Sequence, residues 1–379
     1  MTKFPASLSL VTAFLTLLSC AIAVNVDELF DVQGGRTDGG CDDFYDRGAQ
    51  SGVLDDWITE ISYSVDASVT AIERYGQDPR VRRAMYAFFG IRNTGRYSAG
   101  TPTANAVDAV RLNIQRVQEF FNRQLHNDGT PYYPLGDRFL FCGSDFLVHQ
   151  PDNTQALDFQ AQDIFDGQGN LVRIADVPSY AEKLNENPDN DAWWSGFLTD
   201  TNGYYFSPTG GEYCDGTNLG LTATIQQLVP GPNGGAQNGH TLSSIVLCRY
   251  SFTGSPQPNT YQEANAMLAL RTDLARAVPK SSTLLHEAFH LLFGAGDTGF
   301  LEDTNEVYNI AACVTLAQTQ GETARRNPEN YVFFIAHMYH MLGTDEGDVP
   351  ESIRVNWDFE ANGSGQGWVY GAKTTDQVN

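Results

Sequence analysis

Apolar residues recur every three or four positions from Trp57 to about Arg123, first as Ile58, Ile61, Val65, Val69 and Ile72, then as Val107, Val110, Leu112, Val117 and Phe120. That period predicts two or three amphipathic helices. Beyond Pro131 the pattern changes to short apolar runs between Gly, Asn, Asp and Pro. The runs Arg138 to Cys142 and Ser244 to Cys248 predict strands with a cysteine at the end, and residues 150–240 read as loops with a few strands. A second helical block follows over 261–277, 282–293, 304–319 and 328–342, the last with Asn327 as cap and Gly343 as stop. No fixed-period repeat and no dividing linker appears. The expectation is one α+β domain over 51–345, mostly helical with a small sheet. An N-terminal extension over 24–50 precedes it and a polar tail over 346–379 follows.

The first 23 residues read differently. Lys3, an apolar run from Leu8 to Ala21 and the triplet Ala21-Ile22-Ala23 have the layout of a secretory signal peptide cleaved before Val24. The run is shorter than the ~20 apolar residues that a spanning helix needs, so a secreted, extracellular protein without stable membrane association is expected. Without Cys20, five cysteines remain in a compartment where disulfides persist. The odd count leaves at least one thiol unpaired, and Cys313, among Ile310, Val314 and Leu316, is the candidate. The pairing of Cys41, Cys142, Cys214 and Cys248 stays open.

Charge narrows the partners. With 23 Lys plus Arg against 46 Asp plus Glu, the formal net charge is −23. Acidic residues spread along the whole chain disfavour nucleic acid, which is bound by clustered cations. A monomer is expected.

Chemistry concentrates in His286-Glu287-Ala288-Phe289-His290, inside an apolar, helix-like segment that ends at Gly294. On a helix, residues i and i+4 lie one above the other, so His286 and His290 can offer two imidazole nitrogens to one ion. Glu287 lies about 100° round the axis, placed to reach a water on the ion rather than the ion itself. Chance matches are rare: with 7 His in 379 residues and the glutamates present, about 0.005 are expected. The arrangement predicts a Zn2+ hydrolase with Glu287 as general acid/base. A catalytic zinc needs a third protein ligand. On spacing alone Asp297, and Glu306 or Glu329 from a following helix, are open. His337 and His340 share a helix face among Met338, Tyr339 and Met341, where packing outweighs ligation. His126, His149 and His240 lack a metal spacing.

These residues resemble the aspzincins, the deuterolysin-type secreted fungal zinc endopeptidases that include peptidyl-Lys metalloendopeptidases. Their helical His-Glu-x-x-His is followed by Gly-Thr-x-x-Asp-x-x-Tyr and by a later helix beginning near Asn-Ala-Asp-x-Tyr. Here Tyr308 stands at the tyrosine position, and Asn327-Pro328-Glu329-Asn330-Tyr331 resembles the start of the closing helix. Tyr86 to Gly90, the strand ending at Cys142 and the run Ile245 to Tyr250 are similar to family segments in the same order. The resemblance covers roughly residues 58–340. It implies a zincin-like metallopeptidase domain, hydrolysis of peptide bonds in protein or peptide substrates, and a tyrosine, Tyr308, at the oxyanion. The family's aspartate ligand corresponds to Asn305, and the loop between His290 and Tyr308 is about six residues longer than the family's. Among the neighbouring carboxylates Asp303, Asp297, Glu302 and Glu306, Asp303 lies nearest the implied ligand position. Asp303-Thr304-Asn305-Glu306 also reads as a helix-capping box. The rival class is a catalytically inactive relative that binds zinc or another protein. Asn305 favours the rival, whereas the intact Glu287 speaks against it.

Overall fold

The computed structural model describes residues 24–34, 40–45, 52–92, 98–136, 138–196, 201–294, 299–301, 305–342, 357–364 and 367–374. Its frame is a seven-stranded mixed sheet. The strands in chain order are β1 (Asp31–Val32), β2 (Arg138–Phe141), β3 (Leu147–Gln150), β4 (Asp191–Ser195), β5 (Gly203–Ser207), β6 (Gly220–Pro230) and β7 (Ala236–Leu247). They lie in the order β1-β2-β7-β6-β5-β4-β3. β1, β2 and β7 run parallel, and each later neighbour pairs antiparallel.

Helices cover one face of this sheet. In chain order they are α1 (Val53–Glu73), α2 (Pro79–Phe89), α3 (Pro102–Phe121), α4 (Pro178–Glu186), α5 (Tyr261–Met267), α6 (Ser282–Phe293), α7 (Ile310–Thr319), α8 (Gly321–Ala324) and α9 (Pro328–Leu342). Several starts follow from capping chemistry. The Asp78 and Thr101 side chains accept from Arg80 N–H and Ala104 N–H, each beside a proline whose missing N–H is no loss in a first turn. The segment 261–277, expected as one helix, breaks after Met267, and only Leu274–Arg276 turns again.

The sheet overturns the expectation of a mostly helical domain with a small sheet. The protein is mixed α/β. The physical reason lies in β6 and β7: β6 alternates buried with half-exposed or exposed positions over 220–226, and β7 is largely exposed over 237–241 before it enters the core at Leu242. Polar residues such as Thr222, Thr224, Gln226, Gln237 and Asn238 sit at the wetter positions and give these segments a loop-like composition, although period 2 is the mark of a half-buried strand. β1 and β3 are too short to be read from pattern.

Alternation also sets the two faces. Leu140, Ile245 and Leu247 join the large core formed with α1, α2, α3, α6 and α9. Phe139, Phe141, Leu221, Ala223, Ile225 and Val246 pack on the opposite face with Trp193. Gly220 and Thr222, on the alternate positions of β6, are therefore turned toward α6.

The N-terminal stretch is part of this core. Val26, Leu29, Phe30 and Val32 are buried, and the Val26 N–H donates to Asp55 Oδ1 at 2.9 Å. A disulfide joins Cys41 to Cys142, closing a separation of 101 residues; by chain entropy such a link is worth about 5 kcal/mol. A second joins Cys214 to Cys248, and Cys313 is a free, buried thiol. Within the stretch expected as a polar tail, β8 (Trp357–Ser364) and β9 (Gly367–Thr374) form an antiparallel hairpin. Its Trp357, Phe359, Tyr370 and Ala372 are buried in the same core. No helix among the described residues is long and apolar enough to cross a membrane.

Candidate metal centre

The helix α6 is buried from Ser282 to Phe289, and its last turn is half-buried. It lies between the sheet and α9, with its start tied to α1: the Ser281 hydroxyl donates to Glu60 Oε2 at 2.6 Å, and Tyr261 N–H donates to the other Glu60 oxygen at 2.6 Å. It ends at Gly294, whose φ of 67° is a conformation that favours glycine.

On this helix His286 and His290 present their rings 5.2 Å apart between centroids. Glu306, in the segment before α7, meets both. Its Oε1 lies 2.8 Å from His290 Nε2 and its Oε2 lies 3.3 Å from His286 Nε2. One potential ligand atom from each residue falls within 4.8 Å of the others, and the Glu306 side chain is fully buried. These three residues could hold a metal ion.

The fit of a cation can be judged from the orphaned atoms. His290 Nε2 and both Glu306 carboxylate oxygens are buried without a partner of hydrogen-bond geometry. Buried polar groups left in that state cost about 1–3 kcal/mol each, and three of them converging on one point are satisfied together by a cation. Electrostatics points the same way. Burial opposes ionisation of Glu306, but the neighbouring His286 and His290 outweigh it and hold its pKa at about 2. Burial likewise opposes charging of His286, and Glu306 and Glu329 overturn that, raising its pKa. The cluster attracts protons when empty of metal, and a dication replaces them.

The second ring nitrogen of His286 is also engaged. Its Nδ1 lies 3.0 Å from Glu329 Oε2, in the first turn of α9. With Nδ1 protonated and donating to that carboxylate, Nε2 keeps its lone pair for the ion. Such an outer carboxylate fixes both tautomer and ring orientation.

Glu287 turns away from the ligand face toward the sheet and is buried. The Thr222 hydroxyl lies 2.8 Å from its Oε2 and 3.0 Å from its backbone carbonyl oxygen. Tyr308 is half exposed, at 51%, with its ring 5.6 Å from that of His286 and nearly parallel to it.

Asn327 was expected to cap α9, and its amide is used elsewhere. It accepts from Val307 N–H at 3.1 Å and donates to the Val307 carbonyl at 2.9 Å. That pairing grips the one residue between Glu306 and Tyr308. Asn330 in turn donates to the carbonyls of Phe88 and Cys313, so the clamp is anchored in α2 and α7.

The sequence-derived residues thus divide. His286, Glu287, His290 and Tyr308 come together. Asp303, preferred as third ligand from the family resemblance, lies outside the described residues with Asp297 and Glu302. Glu306 is the carboxylate that meets both histidines, and Asn305 beside it is exposed. Thr222 carried no sequence signal except its register, opposite in facing to Leu221 and Ala223. Glu329 was legible as a carboxylate one helix away, but not its attachment to the far side of His286. Comparison with protein-family models, with curated proteins and with solved structures finds no match, so the chemistry of this centre stands on its own geometry.

Proposed function

We propose that the chain is a secreted zinc-dependent endopeptidase related to the aspzincins, with His286, His290 and Glu306 holding the metal. The observation that carries this reading is the convergence of two imidazoles and one carboxylate on one buried point, where His290 Nε2 and both carboxylate oxygens lack a hydrogen-bond partner, with a second glutamate adjacent on the same helix. Two histidines and one glutamate are a ligand set of catalytic zinc sites, which keep a further position open. Secretion is supported by the two disulfides and by the leader-like first 23 residues.

Bound there, zinc supplies a Lewis acid that polarises the scissile carbonyl and makes water acidic enough to give up a proton near neutral pH. Glu287 takes that proton and passes it to the leaving amine as the carbon–nitrogen bond breaks. The Tyr308 phenol, stacked beside His286, donates to the oxygen on which negative charge develops. Glu329 keeps His286 oriented throughout. The inactive, zinc-binding alternative drew its support from Asn305; with Glu306 able to complete the set, that residue is no longer missed.

The test is metal content and hydrolysis of casein or a peptide mixture by the purified secreted protein, beside Glu287→Gln and with a chelator. About one zinc per chain is expected. Activity should fall ~10²–10⁴-fold in the variant and vanish on chelation. Stoichiometric zinc with no turnover by the unmodified protein would replace the peptidase reading with the binding one.

A further inference from the structure

A general base works only if one oxygen of its carboxylate stays aimed at the proton it removes. A glutamate has three side-chain torsions, and the last is a broad, roughly two-fold rotor, so its aim must come from neighbours. In this protein the neighbour is a strand. Gly220 and Thr222 lie two apart on β6, on the face turned to α6. A Cβ at Gly220 would stand 3.0 Å from Glu287 Oε1 and 3.1 Å from its Cγ, so the absence of a side chain lets the carboxylate lie against the strand. The Thr222 hydroxyl then meets the other oxygen, Oε2, at 2.8 Å.

We propose that Thr222 is a positioning residue for Glu287, fixing the rotation of its carboxylate from the sheet, with Gly220 clearing the space in which it lies. This rests on the peptidase reading for its consequence, but not for its geometry. The hydroxyl has one proton and two acceptors within reach: Oε2 and, at 3.0 Å, the Glu287 backbone carbonyl. That carbonyl is already engaged in the ladder of α6, so the proton goes to the charged carboxylate, where a charge-assisted bond is stronger. Oε1 stays on the side away from the hydroxyl.

Thr222→Val is nearly isosteric and removes the donor, whereas Thr222→Ser keeps it. In a crystal structure of the metal-free Thr222→Val protein, the Glu287 carboxylate should leave its position against β6. In the zinc-loaded protein kcat for peptide hydrolysis should fall ~10–100-fold, because small misplacement of a reacting group costs that much. KM and zinc affinity should stay within about twofold, and Thr222→Ser should recover kcat to within about threefold of the unmodified enzyme. A purely structural threonine would lower stability in Thr222→Val and leave kcat alone. An unmoved carboxylate, or an unchanged kcat, overturns the proposal. If the unmodified protein hydrolyses no peptide, the peptidase reading falls, and the carboxylate position in the variant still decides the role of Thr222. Thr222→Ala removes the same donor with less bulk should the valine variant not fold.

Discussion

Two pairs of histidines lie about one helical turn apart in this chain, His286 and His290 on α6 and His337 and His340 on α9, and both pairs are withdrawn from solvent. What surrounds them differs. His337 Nε2 donates to Asp358 Oδ1 at 3.0 Å, and the Tyr370 hydroxyl faces its Nδ1 at 3.3 Å. His340 reaches Asn265 at 2.7 Å and the Ala277 carbonyl at 2.9 Å. Every ring nitrogen of that pair has a partner, and the Asp358 charge is shared with Arg83, whose Nη2 lies 2.8 Å from Oδ2. The α6 pair meets Glu306, yet His290 Nε2 and both Glu306 oxygens lack a hydrogen-bond partner. Similar spacing on two buried helices thus gives a finished polar network in one place and a group that could hold a metal in the other. Spacing therefore nominates a metal site, and unsatisfied lone pairs qualify it.

The largest expected effect breaks the comparison at its first member. His290→Ala should abolish stoichiometric zinc binding. Removing a group that only supports a ligand costs ~10–100-fold in affinity, so loss of a ligand must exceed that. The metal-free protein should also lose stability, because the 2.8 Å contact of the ring with the buried Glu306 goes with it. His337→Ala should act on stability alone. Zinc content, read by competition with a chelator, stays at the unmodified value, while stability falls by about 2–4 kcal/mol, from an aromatic-sized cavity and a lost hydrogen bond to a charged group. Equal effects of the two variants on zinc content would erase the distinction drawn here.

What could be read from the sequence follows the same division. The α6 histidine pair was legible because a helix converts spacing into geometry over a single turn, and the end of α6 because Gly294 marks it; Gly343, expected to stop α9, lies outside the described residues. The unpaired state of Cys313 was legible because its neighbours are apolar at helical intervals. Glu306 was one of several carboxylates in a loop, and its place depends on the Asn327 amide gripping Val307 from twenty residues away. No local pattern encodes such a clamp. The sheet was underestimated for a related reason: β6 and β7 are held by each other, and their wet faces admit residues that locally favour loops. The hairpin of β8 and β9 hid in a polar, glycine-rich stretch, because its few core residues gain their meaning only against α9.

A smaller effect sharpens the site from behind. Glu329→Gln keeps the shape of the side chain but weakens the acceptor for His286 Nδ1–H. Zinc affinity should drop ~10–100-fold, with the ligands themselves intact. Measured by chelator competition at fixed pH, an unchanged affinity would mean that His286 keeps its orientation by packing alone.

The smallest effect belongs to the finished network and is read in acid. Burial opposes ionisation of Asp358, but His337 and then Arg83 outweigh it and hold its pKa at about 2, against 3.8 for the free side chain. A carboxyl group whose folded pKa is depressed stabilises the fold fully above its unfolded value, and that contribution disappears as pH falls through the folded value. The window is therefore from about pH 4 down to about pH 2, and the size is on the order of 2 kcal/mol. Denaturant midpoints of the metal-free protein across that window should fall in the unmodified chain. In Asp358→Asn the same loss should already be present at neutral pH, with a correspondingly shallower acid dependence. The use of metal-free protein matters, because zinc release from the α6 cluster as its histidines protonate would add a second, steeper loss at higher pH. If the asparagine variant keeps the full acid slope, the depressed carboxyl lies elsewhere, and the α9 pair owes its stability to packing rather than to the ionised network around Asp358.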